Sequence, residues 1–239
     1  MIFNMTNGGG YTLNEIISRS FTGSITLSAA TIGSMAFGYC TGITSINAPT
    51  TTTINQSAFH GCWNMTAVSF PNCTTINTQA FYMCSKLTVA SFPKATVLNT
   101  YAFANCSTLA TLSFPSATSI GAYAFRSCWK LTTVSLPKVI SIYSNAFVDC
   151  SSLTTVRLSS ATKLIGSYAF SRCVRLVSLY LTGVTAVPTL SNSAFLSTPI
   201  GGYSTTAGQY GSIYVPSSLL TSFKAATNWK SVSARIVAG

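Results

Sequence analysis

The chain has 239 residues, 48% of them hydrophobic and only 6% charged, against about 25% charged residues in an ordinary globular domain. Aromatic and β-branched residues throughout exclude a disordered chain, and no apolar run approaches the ~18–20 residues that span a bilayer. The net charge of +11 comes from Lys and Arg that stand singly, so it argues for solubility and makes a nucleic-acid partner an unlikely reading.

In chain order, the start Met1-Ile2-Phe3-Asn4-Met5 has neither a basic segment nor a long apolar one, unlike a secretory signal peptide. That places the chain in a cytoplasm or a phage particle, or at a cell surface if a leader precedes it. Residues 1–23 read as a leader, glycine-rich at Gly8–Gly10, and an N-terminal cap. Ser24-Ile25-Thr26-Leu27 is the first alternating strand.

A repeat then takes over. An Ala-Phe pair recurs with phenylalanines at Phe37, Phe59, Phe81, Phe103, Phe125, Phe147, Phe170 and Phe195, at a spacing of 22 residues that loosens only at the end. Cysteine follows three residues later in seven copies, and Thr198 replaces it in the eighth. Such a period marks a solenoid in which each repeat is one coil. Within a coil, Leu-Thr-x-Val-x-Phe suits a short strand, as in Leu109–Phe114, and Pro49, Pro71, Pro93, Pro115 and Pro137 end it. The spacing of three between Phe and Cys predicts one helical or 3-10 turn with both side chains inward. About eight coils at ~4.8 Å each make a rod or shallow arc roughly 40 Å long. Residues 199–239 read as a C-terminal cap. They hold a loop, a strand at Ser212–Pro216, and a helix from Ser217 or Ser218 through Leu219, Leu220, Phe223, Ala226 and Trp229 that lids the last coil.

The coils over residues 24–198 resemble the BspA-like bacterial leucine-rich repeats, written Ile-Gly-x-x-Ala-Phe-x-x-Cys-x-x-Leu-x-x-Ile-x-Ile-Pro. Ile120-Gly121-Ala122-Tyr123-Ala124-Phe125-Arg126-Ser127-Cys128-Trp129-Lys130-Leu131 carries that pattern. The tail, Ile213–Pro216 with Phe223–Trp229, looks like the ends of such proteins from gut bacteria, some of them prophage-associated. The resemblance implies a right-handed leucine-rich-repeat solenoid with a parallel β-sheet on one face and short turns, 3-10 or helical, on the other. It also implies a binding or adhesion role, and it names no ligand, cofactor or oligomeric state.

The candidate chemistry is sparse. Seven of the eight cysteines share one core position and read as packed thiols in a reducing compartment, not as metal ligands, since His60 is the one histidine. The only carboxylate side chains are Glu15 and Asp149. His60 and Asp149 stand four coils apart, ~19 Å by strand spacing, so no acid–base pair assembles and an enzyme is not expected. Trp63 and Trp129 read as rim packing in preference to exposed stacking platforms.

Surface remains. Outward strand positions are small and neutral from Ser45 and Asn47 through Thr133 and Ser135, then become Thr155 and Arg157, and Ser178 and Tyr180. With the rim cations Lys130 and Arg175, the last six make the candidate site, because Arg and Tyr combine area with directional hydrogen bonds. The expected partner is a protein or an acidic glycan, bound without catalysis. The alternative is a structural part of a phage tail or particle, with the solenoid as a spacer.

Overall fold

The computed structural model describes residues 4–5, 12–13, 22–203 and 209–239. Gly8–Gly10, the Glu15 segment assigned to a cap and the middle of the loop after Pro199 lie outside the described residues. The first strands are β1 (Asn4–Met5), β2 (Thr12–Leu13), β3 (Gly23–Leu27), β4 (Thr31–Ile32), β5 (Ile43–Asn47), β6 (Thr53–Ile54) and β7 (Ala67–Ser69). They continue as β8 (Thr75–Ile76), β9 (Val89–Ser91), β10 (Val97–Leu98), β11 (Thr111–Ser113), β12 (Ser119–Ile120), β13 (Thr133–Leu136) and β14 (Ser141–Ile142). The last are β15 (Thr155–Leu158), β16 (Leu164–Ile165), β17 (Ser178–Tyr180), β18 (Thr189–Leu190), β19 (Ser212–Val215) and β20 (Ile236–Ala238).

All pairings are parallel. The two-residue strands β2 to β18 stack in one nine-stranded ladder. The longer strands form the principal face in two blocks, β1-β3-β5-β7-β9-β11 and β13-β15-β17-β19-β20. The solenoid has about ten turns, not eight. Counting Ala-Phe copies misses both ends, where Asn4 pairs with Thr26, Thr12 with Thr31, Ile213 with Leu179 and Ile236 with Ile213.

Chemistry fixes each element. Ala48, Phe70 and Phe92 each donate a backbone N–H to the next coil, to Ser69, Ser91 and Ser113. The prolines that follow have no N–H to offer, and they take the second position of a four-residue turn closed by bonds such as Cys73 N to Phe70 O (3.2 Å). Among the described residues, Phe114 makes no such bond forward, and the principal face breaks between β11 and β13. The break falls where the core residue at the strand's end changes from Phe70, Phe92 and Phe114, each just past its strand, to Leu136, the last residue of β13.

The Ala-Phe-x-x-Cys segment is not helical. Tyr123 (φ 56°) and Ser127 (φ 57°) are left-handed, as are the matching residues of each copy from Met35 and Tyr39 to Ser193 and Ser197. Bonds from Ala124 to Gly121, Arg126 to Tyr123 and Cys128 to Phe125 (3.1–3.2 Å) make three interlocked turns. A left-handed non-glycine residue costs ~1–2 kcal/mol. The opposing gain is a third ladder: the N–H groups of Tyr123, Phe125 and Ser127 reach the carbonyls of Ser144, Ala146 and Val148 at 3.1, 2.8 and 2.9 Å.

The predicted ring stack is the core. Phe37, Phe59, Phe81, Phe103, Phe125, Phe147, Phe170 and Phe195 stack at centroid distances of 4.9 to 5.9 Å. Phe70, Phe92 and Phe114 form a second stack that meets the first edge-on. The hydroxyls do more than face water. Thr74, Thr96 and Thr118 each donate to the backbone carbonyl of the threonine one coil back, at 3.1–3.3 Å. Asn77 and Asn99 donate to the side-chain carbonyls of Asn55 and Asn77. Side chains therefore tie coil to coil where a charged surface would repel.

At the C-terminus the single predicted helix is broken. A 3-10 turn (Ser217–Leu219) leads into α1 (Leu220–Ala225), with no side-chain cap at either N-terminus. Ala226 is extended and Asn228 has a positive φ (64°) before a second 3-10 stretch at Trp229–Arg235. The interruption turns Trp229 inward, where it packs against Phe195 and Phe223 and its Nε1 donates to Pro188 O at 2.7 Å.

Candidate recognition surface

The cysteines resemble a site most closely in sequence, and the structure puts all eight in the interior. Six of them do more than fill space. The thiols of Cys62, Cys84, Cys106, Cys128, Cys150 and Cys173 donate to the Phe carbonyl one coil back, at 3.1–3.3 Å. That same carbonyl accepts its own coil's Cys N–H, so both of its lone pairs are used. Thr198 keeps a bond of this kind within its own coil, donating to Phe195 O at 2.7 Å. Burial pushes the Cys73 and Cys84 thiols up to about 12, and those of Cys106, Cys128 and Cys173 well above their ordinary range. Thiols held neutral are poor nucleophiles. A thiol-titrating reagent at pH 8 is accordingly expected to find none of the eight in the native protein and all eight in denaturant.

His60 and Asp149 are already engaged. His60 lies between Tyr39 and Tyr82, with ring centroids 5.0 Å away on both sides, and its Nε2 is 3.2 Å from Tyr39 Oη. Burial lowers its pKa. Asp149 accepts a hydrogen bond from Arg172 in an ion pair on the outer turns. Among the described residues, no group of three or more metal-ligating side chains comes together, and no helix is long and apolar enough to cross a membrane.

On the principal face the strand register aligns the candidates into two rows. Thr133, Thr155 and Ser178 follow one another in the first, continued by Ser212. Ser135, Arg157 and Tyr180 follow in the second, continued by Tyr214 and Val237. The second row is a built stack. The Arg157 guanidinium carbon lies 3.9 Å from the centre of the Tyr180 ring, and Tyr180 stacks on Tyr214 at 4.6 Å with planes 9° apart. Cation–π contact and ring stacking hold these side chains in one arrangement, which reduces the ordering cost of an encounter. Lys130 and Arg175 are exposed but make no contact with this stack: Lys130 adjoins Trp129 on the rim before the strands.

Two features were not anticipated. Tyr214, in the strand of the C-terminal cap, joins the second row, and Ser212-Ile213-Tyr214-Val215 repeats the pattern of Ser178-Leu179-Tyr180-Leu181 that sets its register. Trp63 and Trp129 are exposed, at 45% and 55%, and do not serve as rim packing. The side chains between them on the outer turns, Met83 with Ser85, Asn105, Ser107 and Ser127, are mostly short and leave about half of each indole uncovered.

Comparison with known proteins bears on the fold. The family profile described as BspA type leucine rich repeat region matches in six copies, over residues 19–118 and 96–206. The crystal structure of a T. pallidum leucine rich repeat protein is similar, at 23% identity over 75% of this chain and 77% of that one, with a TM-score of 0.55. A leucine-rich repeat protein from Eubacterium ventriosum aligns at 24% identity over 75% of this chain and 43% of its own, with a TM-score of 0.51. No curated protein matches the sequence. The repeat profile spans well over half the residues, with the turns and ladders described above: the chain belongs to the BspA-type leucine-rich repeat proteins.

Proposed function

We propose that the protein is a non-enzymatic recognition scaffold that captures a protein partner on the C-terminal half of its principal face, through the Arg157–Tyr180–Tyr214 row. The observation that carries this is the contrast along equivalent outward positions of successive coils. Asn47, Ser69, Ser91, Ser113 and Ser135 are followed by a guanidinium and two stacked phenols. Repeats hold the backbone constant, so a change confined to outward residues alters the surface without altering the fold. Arginine and tyrosine dominate the energetic centres of protein interfaces, and small hydroxyls around them close against a partner at little cost. Membership of a solenoid family supports the reading, since a stack of coils presents an extended surface.

The test is capture of surface-protein extracts on the immobilised chain. Tyr180→Ser with Tyr214→Ser should weaken capture about tenfold or more while lowering the melting temperature by only a few degrees through the lost stack, and Ser69→Ala should change neither. Equal capture by the tyrosine variant and the parent protein would refute the proposal.

A further inference from the structure

A second feature lies on the rim after the cysteines, away from the strand-face row. Trp63 and Trp129 hold the same position in coils three repeats apart, with Ser85 and Ser107 between them at that position. Three strand spacings put the two indoles ~14 Å apart along the rod. With Met83, Asn105 and Ser127 they line an open groove of about 460 Å³.

The groove has unused bonding capacity. Ser127 is only 8% exposed and lines the groove; its hydroxyl makes no side-chain hydrogen bond among the described residues and is reached by solvent there. The Asn105 amide is likewise unpartnered, whereas the hydroxyl of Ser107 is already given to Ser85 O at 3.1 Å. A polar group at the wall of a cleft with no protein partner is available to bond what fills it. Charge favours an anion. Lys86 and Lys130 are exposed and directly follow Ser85 and Trp129 of the groove's lining in the chain. No carboxylate lines the groove.

We propose that this groove binds a short acidic oligosaccharide. The two indoles receive the apolar C–H faces of sugar rings near its ends. Ser127 and Asn105 bond ring hydroxyls between them, and Lys86 and Lys130 meet the acidic substituents. The span excludes a single ring bridging both indoles and admits a chain of a few. The alternation of flat apolar platforms with donors and acceptors matches a polyhydroxylated chain better than a protein side chain, which would need a deeper apolar pocket. This site does not depend on the Arg157–Tyr180–Tyr214 row.

The experiment is a fluorescence titration of the whole chain with hyaluronan and heparin tetrasaccharides, and with neutral chitotetraose as the comparison. Trp63 and Trp129 are exposed reporters, whereas Trp229 is fully buried. The expected result is a saturable change with at least one acidic tetrasaccharide. It should weaken about tenfold or more in Trp63→Ala and in Trp129→Ala, variants whose melting temperature stays unaltered. Lys86→Gln with Lys130→Gln should weaken it as well and reduce its salt dependence. The proposal is overturned by no saturable response to either acidic sugar, by equal affinity for chitotetraose, or by a response that survives loss of both indoles. Loss of strand-face capture in the tyrosine variant leaves this titration unchanged, so the two readings fail separately.

Discussion

Replacing Phe125 by alanine should lower the unfolding free energy by about 3–5 kcal/mol, the range for removing a fully buried phenyl ring. Phe125 is fully buried, stacked 5.5 Å from Phe103 and 5.2 Å from Phe147, with Phe114 packed edge-on at 5.9 Å. Its position matters more than its size. The principal face lacks strand bonding between β11 and β13, so that junction is held by the ring contacts, by the β10-β12-β14 ladder and by turn bonds such as Phe103 N to Ala124 O at 2.8 Å. Solenoid stability is a sum of coil and nearest-neighbour terms, and the weakest junction decides where cooperativity fails. Phe125→Ala should therefore split a single denaturant transition into two. Phe59→Ala, made where the face is continuous, should shift the transition without dividing it. Calorimetry and denaturant melts read both, and a single undivided transition for Phe125→Ala would remove the significance of the break.

The second large effect lies at the C-terminal end. Trp229 closes the phenylalanine stack, with its ring 6.2 Å from Phe195 and 5.0 Å from Phe223. Trp229→Ala should cost about 3–5 kcal/mol from the vacated volume, and further because Pro188 O loses its donor. Trp229→Phe keeps most of the apolar volume but not the N–H, so about 1–3 kcal/mol is expected. Because a solenoid end has no neighbour beyond it, Trp229→Ala should fray inward from the C-terminus. Hydrogen exchange would show protection falling first in β18, β19 and β20 and last around Phe81. Uniform loss of protection along the rod would contradict that order.

Much of this was legible because a repeat writes the same physics many times. The strand, the proline that ends it and the inward Phe and Cys recur at fixed offsets, so periodicity alone gave the solenoid and its core. What periodicity could not give is what neighbours impose. Alternating left-handed residues such as Tyr123 and Ser127 carry no glycine or asparagine signature, because bonds to the next coil hold them there. The thiol-to-carbonyl bonds require two coils to be seen together. The candidate site was half visible: Arg157 and Tyr180 stood out against serine and threonine, whereas Tyr214 arrives after an irregular loop that hides its register. The exposure of Trp63 and Trp129 depended on what lies beneath them, and that is set by coils on either side.

The central claim is that the repeated motif is interior and that recognition belongs to the residues the repeat leaves free. The most direct measurement sets stability and capture side by side for two variants, Cys128→Ala and Tyr180→Ser with Tyr214→Ser. Cys128→Ala removes a buried thiol and its bond to Phe103 O, and should cost about 1–2 kcal/mol with capture unchanged. The tyrosine pair should lose capture with the fold intact and melting lowered by only a few degrees. A cysteine variant that melts like the parent but no longer captures, or a tyrosine variant that captures fully, would contradict the claim.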